Sequence, residues 1–321
     1  MKPRLVLVTP ALADANNGNW QTAFRWSRFL GSQCRVLTVR HWQGEPADAM
    51  IALHARRSAD SIAGFAATGR PVAVVLTGTD LYRDTRTDPS AQRSLELASL
   101  LVVLQPRGMD ELPARLRHKA LTIYQSARAL APGRPRARTF DLALVGHLRE
   151  EKDPMTAVRA MAALPDPGLR LVHAGAVPGD ALGDAFRAAA RADARIELRG
   201  PLPHAAARQL IRRSRALLLP SLMEGGANVA IEAITSGVPV LASRIGGSVG
   251  LLGDDYQGFF PVGDAAALAG LIRRCKESPD FLVHIRRQCA ARAPLFEPAR
   301  ERDAVRALAH NLLSTTQEAR R

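Results

Sequence analysis

Short apolar runs alternate with helical patterns along the whole chain. Continuous apolar runs are typical of strands buried in a parallel sheet, where both faces are covered. The intervening stretches repeat apolar residues at helical spacing, for example over 20–30, 155–163 and 204–213. This alternation predicts an α/β protein with parallel, doubly wound sheets. The runs lie at 4–9, 34–39, 50–55, 72–77, 100–105, 120–124, 141–146, 169–175, 195–200, 216–220 and 239–243.

The pattern is interrupted once, at "SARALAPGRPRARTF" (126–140), which has no periodicity and is rich in Pro, Gly and Arg. We interpret it as a linker and predict two Rossmann-like domains, 1–138 and 139–321, facing a central cleft. The last helix is expected to cross back to the first domain. Ligands of such sheets bind beyond the carboxyl ends of the strands.

The composition indicates a globular protein that favours anionic partners. The chain has 321 residues, 47% of them hydrophobic, and a formal net charge of +14. This charge is carried mostly by scattered Arg, which is also what a GC-rich genome produces. A nucleic-acid partner is not expected, because only 5% of the residues are aromatic and no binding motif occurs.

The cysteines and the first residues bear on location. Cys34, Cys275 and Cys289 show no metal spacing and predict buried or free thiols in a reducing compartment, the cytoplasm. The start "MKPRLVLVTPALA" is like a signal peptide, but its uninterrupted apolar run covers only 5–8, so we interpret it as a first strand. No apolar stretch approaches the ~20 residues of a membrane span, and no stable membrane insertion is expected.

The most informative stretch is "PSLMEGGANVAIEAITSGVPVLAS" (220–243), where seven residues separate Glu224 from Glu232. A glycine turn, Gly225 and Gly226, precedes a helical segment, and the N–H groups that open a helix attract phosphate oxygens. Glu232 is expected about two turns beyond Glu224, on the same side of the element. Two such carboxylates suit a ligand rich in hydroxyl groups.

This stretch resembles the E-x7-E motif of family 4 glycosyltransferases, which have the GT-B fold. The resemblance implies that Glu224 contacts the donor sugar and that Glu232 holds the ribose of the nucleotide. It also implies that the backbone between them holds the distal phosphate, through Gly225, Gly226, Ala227, Asn228 and Val229.

"LVGHLREEKDP" (144–154) resembles the family's G-R-L-x-x-x-K-G, whose Arg and Lys clamp the donor diphosphate. The resemblance implies donor contacts from Gly146 and Lys152. His147 stands where the family has Arg. The second contact then falls to Arg149, two residues on, or to His147 as a hydrogen-bond donor; Arg149 is alternatively part of a solvated charge run. The leaving diphosphate needs such cations as its charge grows.

"RGPLPHAAARQLI" (199–211) resembles the loop that reads the nucleotide base through backbone near Leu202. Uracil is the base that related enzymes usually take. We interpret His204 as a helix-start residue rather than a catalyst.

The loop after the first strand, "NNGNW" (16–20), is expected to face an acceptor. Gly18 permits a positive φ angle or a close approach, and Asn19 is predicted to cap the following helix. With Asn16 and Asn17 the loop would form an anion site at a helix N-terminus. Trp20 either contacts the acceptor or packs in the core.

"NNGNWQTAFRW" (16–26), "LTGTDLYRD" (76–84) and "EGGANVAIEA" (224–233) together resemble one subgroup, the bacterial selenosugar synthases of selenoneine biosynthesis. The resemblance implies selenophosphate as acceptor and a UDP-sugar as donor, typically UDP-N-acetylglucosamine. Thr77 or Thr79 stands where ordinary members often have His. A hydroxyl is no general base at neutral pH, but selenophosphate needs positioning more than deprotonation. Asp80 is either an acceptor contact or structural.

The leading hypothesis is therefore a selenosugar synthase with Glu224, Lys152 and Arg149 as its catalytic group. Acceptor contacts are assigned to Asn17, Gly18, Asn19, Trp20, Thr79 and Asp80. No cofactor or metal is expected, because the sequence has no DxD motif or His cluster. The alternatives are a conventional family 4 enzyme acting on a sugar, lipid or cell-envelope acceptor and a sugar-nucleotide binder without turnover.

Overall fold

The computed structural model describes residues 2–13 and 17–318 and divides the chain into two compact units. Unit 1 comprises Met1–Gln125, Glu224–Gly226 and Pro298–Arg321; unit 2 comprises Ser126–Met223 and Ala227–Glu297. Residues 126–138, which the sequence interpretation assigned to the first domain, therefore group with the second. The chain returns to unit 1 twice, for three residues at 224–226 and for the last helix.

The elements follow one another in the order that the apolar pattern predicts. The strands are β1 (Arg4–Val8), β2 (Arg35–Val39), β3 (Ala49–Leu53), β4 (Val72–Leu76), β5 (Leu100–Val103), β6 (Ala120–Thr122), β7 (Phe140–Val145), β8 (Leu169–Ala174), β9 (Ile196–Leu198), β10 (Ala216–Leu219), β11 (Val240–Ser243) and β12 (Phe259–Phe260). The helices are α1 (Gly18–Leu30), α2 (Ala59–Ala66), α3 (Thr85–Thr87), α4 (Pro89–Leu97), α5 (Pro154–Ala162), α6 (Ala181–Ala192), α7 (His204–Arg213), α8 (Asn228–Ile234), α9 (Gly246–Leu252), α10 (Ala265–Glu277), α11 (Pro279–Arg292) and α12 (Pro298–Glu318).

Unit 1 is a six-stranded parallel sheet in the order β2-β1-β3-β4-β5-β6. Because successive strand residues point to opposite faces, Leu5 and Leu7 join one apolar cluster while Val6 and Val8 join another. Trp26 of α1 is fully buried in the first cluster. Both faces of the sheet are thus covered, as continuous apolar strands require.

Helix α12 is held to α1 by a buried carboxylate. Glu301 is 2% exposed, and its Oε1 accepts a hydrogen bond from Trp26 Nε1 at 2.7 Å. Arg25 Nε donates to Oε2 at 2.9 Å and Arg25 Nη2 to Oε1 at 3.1 Å. Apolar residues of the same helix, including Val305 and Leu308, enter the cluster around Trp26. Both the charge and the apolar face of α12 are therefore satisfied inside unit 1.

Unit 2 is a second six-stranded parallel sheet, in the order β12-β11-β10-β7-β8-β9. Strands β10 and β11 of this sheet are buried throughout. Strand β12 was not predicted, because two residues are too short to form a recognisable pattern. All other predicted strands and the two predicted helices of this half are present.

The predicted linker has no regular structure but is packed against unit 2. Ala127 N donates to the Phe296 carbonyl at 3.2 Å, and Leu130 N donates to the Thr235 carbonyl at 3.3 Å. A side chain at Gly133 would meet the Arg212 carbonyl oxygen at 2.2 Å. The segment is therefore part of the second unit rather than a free tether.

The three cysteines are free and buried. Burial raises the pKa of Cys275 to about 12 and that of Cys289 to about 11. In the described part of the chain, no helix combines the length and apolarity needed to cross a bilayer.

We predict that Glu301→Ala lowers the free energy of unfolding of unit 1 by about 3 kcal/mol, because it leaves the buried Trp26 N–H without its acceptor and Arg25 without its buried counter-ion. Urea denaturation followed by tryptophan fluorescence measures this directly, since Trp20, Trp26 and Trp42 all lie in unit 1. The control is Asp303→Ala, which removes an exposed ion pair on the same helix and should leave the stability nearly unchanged. Equal effects of the two substitutions would contradict the anchoring role.

Candidate functional site

The carboxyl edge of the first sheet is held together by Asp80, which is fully buried. Its Oδ1 accepts hydrogen bonds from the backbone N–H groups of Thr77 and Gly78, both at 2.9 Å. Its Oδ2 accepts the backbone N–H of Ala55 at 2.9 Å. Asp80 therefore joins the ends of β3 and β4, and its expected acceptor contact is corrected to the structural alternative.

His54 follows β3 at this same edge, and the sequence interpretation missed it. It is 2% exposed, and its φ angle is +72°, a conformation that a non-glycine residue rarely adopts. Its Nε2 lies 3.1 Å from Oγ1 of Thr79. The sequence places a hydroxyl where relatives often have His, and the structure brings a histidine to that hydroxyl from the neighbouring strand. The only available signal was a polar residue ending a buried run.

Glu224, Gly225 and Gly226 lie in unit 1 beside this edge. A Cβ at Gly225 would be 2.5 Å from the Thr77 carbonyl oxygen, and one at Gly226 would be 2.7 Å from Cβ of Leu104. The glycines thus permit a close approach of two backbone segments. The pKa of Tyr82 is raised, chiefly by burial and further by the negative charges of Glu111 and Glu224.

Helix α8 begins at Asn228 with Ala227 as its N-cap, so the turn Gly225–Gly226 precedes the helix, as predicted. Glu224 lies before this turn, in unit 1, whereas Glu232 lies on α8 in unit 2, so the expectation that the two carboxylates share one side of a single element was wrong. Ala227, Asn228 and Val229 lie at the positive end of the α8 dipole.

The loop before α1 is arranged differently from the prediction. Asn17, not Asn19, is the N-cap, and its side chain accepts from Trp20 N at 3.1 Å. Gly18 and Asn19 form the first helical turn. Asn16 lies outside the described residues. Trp20 is half-buried and packs on Phe24, with ring centroids 5.5 Å apart, whereas Trp26 fills the core.

In unit 2 the ends of β7 and β8 approach closely. Gly146 follows β7 with φ of +142°, and a Cβ on Gly175 would lie 2.0 Å from the Gly146 carbonyl oxygen. His173, on β8, is fully buried, and its Nε2 lies 3.0 Å from the same carbonyl oxygen of Gly146. A carbonyl only accepts, so Nε2 carries the hydrogen. The predicted phosphate loop thus begins on a fixed backbone.

The cationic residues of this loop differ in their surroundings. Nδ1 of His147 accepts the backbone N–H of Ala176 at 2.9 Å, so the ring hydrogen is on Nε2 and can be donated to a ligand. Arg149 is exposed and pairs with Glu151 at 3.1 Å. Lys152 ends a 3-10 turn and is half-buried. His147 thus has a ring hydrogen directed away from the backbone that holds it, whereas the guanidinium of Arg149 is paired with a neighbouring carboxylate.

Glu232 is 7% exposed, and its Oε1 lies 2.5 Å from Nε2 of His204, the first residue of α7. Burial lowers the pKa of Arg208, one turn further along α7, and the negative charge of Glu232 opposes this shift. Leu202 precedes α7 and is half-buried. His204 thus starts the helix, as predicted, and also orients Glu232. Within the described ranges no three His, Cys, Asp or Glu side chains group so as to hold a metal ion.

A family model described as "Glycosyl transferases group 1" matches residues 132–294, which is about half of the chain. The chain belongs to this family. The match covers the loop at Gly146, the Glu232 helix and most of unit 2. The paired six-stranded parallel sheets are the GT-B fold of these glycosyltransferases.

Curated members of the family share part of this sequence. D-inositol 3-phosphate glycosyltransferase of Corynebacterium glutamicum is 33% identical over 165 residues, 45% of this chain and 39% of that protein. The protein of the same name from Nocardia farcinica is 30% identical over 197 residues, 56% of this chain and 43% of its own length. The matches thus span less than half of either relative.

Solved glycosyltransferase structures match over almost the whole length. HepE of Anabaena, in complex with UDP and glucose, has a TM-score of 0.78 at 15% identity and covers 96% of this chain and 100% of its own. Sucrose-phosphate synthase of Thermosynechococcus elongatus has a TM-score of 0.77 at 16% identity, covering 98% and 100%. At such identities the likeness establishes the fold.

We predict that Gly225→Ala loosens residues 224–226 of this glycosyltransferase, because the added methyl group would overlap the Thr77 backbone. Limited digestion with a protease that cleaves after Glu, read by mass spectrometry, should cut at Glu224 about tenfold faster than in the wild type, since the segment would open more often. Gly31→Ala is the control, because its Cβ would make only an ordinary contact at 3.5 Å. An unchanged cleavage rate at Glu224 in Gly225→Ala would show that the close approach is not required.

The stability of unit 2 should depend on His173. Burial lowers the pKa of His173 below its ordinary value of 6.5. The unfolded chain therefore takes up a proton as the pH falls through 6.5 while the folded ring stays neutral, and stability is lost below that pH. Hydrogen exchange of β8, measured in the wild type and in His173→Gln at equal pH, isolates this effect. The stability difference between them should shrink from about pH 7.5 to about pH 5.5; a constant difference would contradict it.

Proposed function

We propose that this protein is a selenosugar synthase that transfers a hexosyl group, N-acetylglucosaminyl in the first instance, from a UDP-sugar to selenophosphate. The bond between the anomeric carbon and the UDP oxygen breaks, and a carbon–selenium bond forms with the electron pair of selenium. Water then cleaves the Se–P bond, so the products are a selenosugar, UDP and phosphate.

The donor half of the proposal rests on unit 2. His147 has an Nε2 hydrogen to donate, Lys152 ends the 3-10 turn Glu150–Lys152 that follows, and Glu232 is buried and oriented by His204. These groups match a diphosphate and a ribose, which need donors and an acceptor respectively. HepE of Anabaena was solved with UDP and glucose, and GtfA of pneumococcus with UDP and N-acetylglucosamine, which supports a UDP-sugar as donor.

The observation that carries the acceptor half is the packing of Glu224–Gly226 on the turn after β4 in unit 1. "LTGTDLYRD" follows β4, and Glu224–Gly226 pack directly on its Thr77 and Gly78. "NNGNWQTAFRW" begins in the loop that follows β1. The carboxyl ends of the parallel strands β1, β3 and β4 lie at one edge of the sheet. We assign the acceptor to this edge, where Glu224–Gly226 and the Thr77–Gly78 turn, far apart in sequence, pack together.

The charge of the reactants fits this protein. Both selenophosphate and the UDP-sugar are anionic, and their approach is unfavourable unless cations and N–H groups offset the repulsion. The chain carries 44 Lys and Arg against 30 Asp and Glu. Selenium in selenophosphate is already a nucleophile, so the site has to position it rather than deprotonate it.

A second candidate is a conventional family member that transfers the sugar to a hydroxyl acceptor. His54 beside Thr79 favours it, because a histidine is the usual general base for a hydroxyl group. The names of the curated relatives, D-inositol 3-phosphate glycosyltransferases, point the same way.

Mass spectrometry of reactions with UDP-N-acetylglucosamine distinguishes the two. Purified protein is given selenophosphate in one reaction and D-inositol 3-phosphate in another, and released UDP is quantified in both. We expect a selenium-containing hexosamine only in the first. Turnover of inositol phosphate without any selenium product, repeated with other UDP-hexoses, would replace the proposal by the conventional activity.

Matched variants locate the donor contact. Glu232→Ala should raise the KM for the UDP-sugar by about 10- to 100-fold, because a hydrogen bond to a charged group is lost. Glu277→Ala removes an exposed carboxylate of unit 2 and should leave the KM unchanged. Equal KM values in both variants would remove Glu232 from the donor site.

A further inference from the structure

His54 has a backbone conformation that costs energy, and its surroundings hold it there. A φ of +72° is unfavourable for a residue with a Cβ. His54 N donates to the Val75 carbonyl at 2.8 Å, and the next N–H, from Ala55, donates to Asp80. Ser58 Oγ donates to the Leu53 carbonyl at 2.7 Å on the preceding side. The fixed backbone directs the buried imidazole towards Thr79.

The hydrogen bonds of the ring determine which nitrogen carries the hydrogen. The backbone N–H of Arg57 points at Nδ1, at 3.3 Å. A backbone N–H only donates, so Nδ1 is an acceptor and the hydrogen of the neutral ring is on Nε2. Nε2 therefore donates to Oγ1 of Thr79, 3.1 Å away. One lone pair of the Thr79 oxygen accepts this hydrogen, so the hydroxyl donates its own hydrogen to a group other than His54.

The groups that face this ring come from two elements. Asp80 and Asp84, in the π-helical turn Asp80–Asp84, lie 3.9 and 4.0 Å from its nitrogens, and Arg56 and Arg57 follow it along the chain. Burial is the largest influence and lowers the pKa of His54, as do the arginines, whereas the aspartates raise it. The net shift is downward, so the ring is neutral at pH 7 and keeps its single hydrogen on Nε2.

We propose that His54 is a positioning residue of the acceptor site, which acts through Thr79 by fixing that hydroxyl as a hydrogen-bond donor to an anionic acceptor. The inference rests on the proposed function in one respect, that Thr79 contacts selenophosphate. It differs from general-base catalysis, because an Nε2 that already carries hydrogen does not take a proton from Thr79. It suits an acceptor that needs a donor rather than a base.

A double-mutant cycle tests the coupling. Thr79→Val removes the hydroxyl group at nearly constant shape, and His54→Gly removes the ring while a glycine accepts the positive φ. Each single variant should raise the KM for selenophosphate about tenfold with little change in the KM for the UDP-sugar. If His54 acts through Thr79, the double variant should be no worse than Thr79→Val alone. Additive losses, or an unchanged selenophosphate KM in His54→Gly, would overturn the proposal.

Rescue and folding controls separate positioning from mere structural support. Added imidazole should lower the selenophosphate KM of His54→Gly and leave that of the double variant unchanged. His118→Gly, which removes an exposed histidine of the same unit, should behave as wild type. Tryptophan fluorescence during urea denaturation checks that unit 1 of each variant is folded under assay conditions. Imidazole that restores the double variant equally would contradict action through Thr79.

Nitrogen NMR of the free protein provides a reading that does not depend on the acceptor. His54 should carry its hydrogen on Nε2, and Thr79→Val should shift that resonance. A hydrogen on Nδ1 would overturn the proposal whatever the substrate. A wild-type protein that gives this NMR result but no selenium product would instead refute the proposed function. In that case His54 would still orient the Thr79 hydroxyl, but selenophosphate would not be its ligand.

Discussion

The buried carboxylate of Asp80 is the contact on which the first unit's candidate site depends. By accepting three backbone N–H groups it joins the ends of β3 and β4 and keeps the intervening turn closed. A carboxylate is taken out of water only when such donors replace its hydration, so the loops around it have little freedom to rearrange. His54 keeps its left-handed backbone because of this connection, and Thr79 receives a defined hydrogen-bond partner. A fully buried residue thereby determines the geometry of the residues around it.

The second unit solves a similar problem with glycine rather than with a carboxylate. Gly146 and Gly175 allow two strand ends to approach to a distance that no side chain would permit, and His173 supports their crossing from below. The predicted phosphate loop begins directly above this support, with His147 oriented by the backbone of Ala176. Each candidate site thus adjoins a buried polar residue. In unit 2 this residue is His173, and in unit 1 it is Asp80, whose carboxylate accepts three backbone N–H groups.

The three residues Glu224–Gly226 belong to unit 1, although the chain on either side of them belongs to unit 2. They are covalently part of the β10–α8 connection of unit 2, yet they pack on the edge of unit 1 that Asp80 organises. The two glutamates of the E-x7-E motif therefore belong to different units, and only Glu232 is held by a helix. Their spacing in sequence therefore does not follow the pitch of one helix.

The sequence by itself determined all but one of the strands, their parallel arrangement and the membership of a glycosyltransferase family, because these follow from local apolar patterns and from contiguous motifs. The assignment of Gly146, Lys152 and Glu232 to the donor is likewise a prediction from contiguous motifs. The tertiary structure alone decided that Asp80 is structural, that Asn17 caps α1 and that His54 reaches Thr79 from another strand. It also decided that Glu224 lies in unit 1. Such pairings join residues far apart in the chain, and no local pattern encodes the register that brings the ends of parallel strands together.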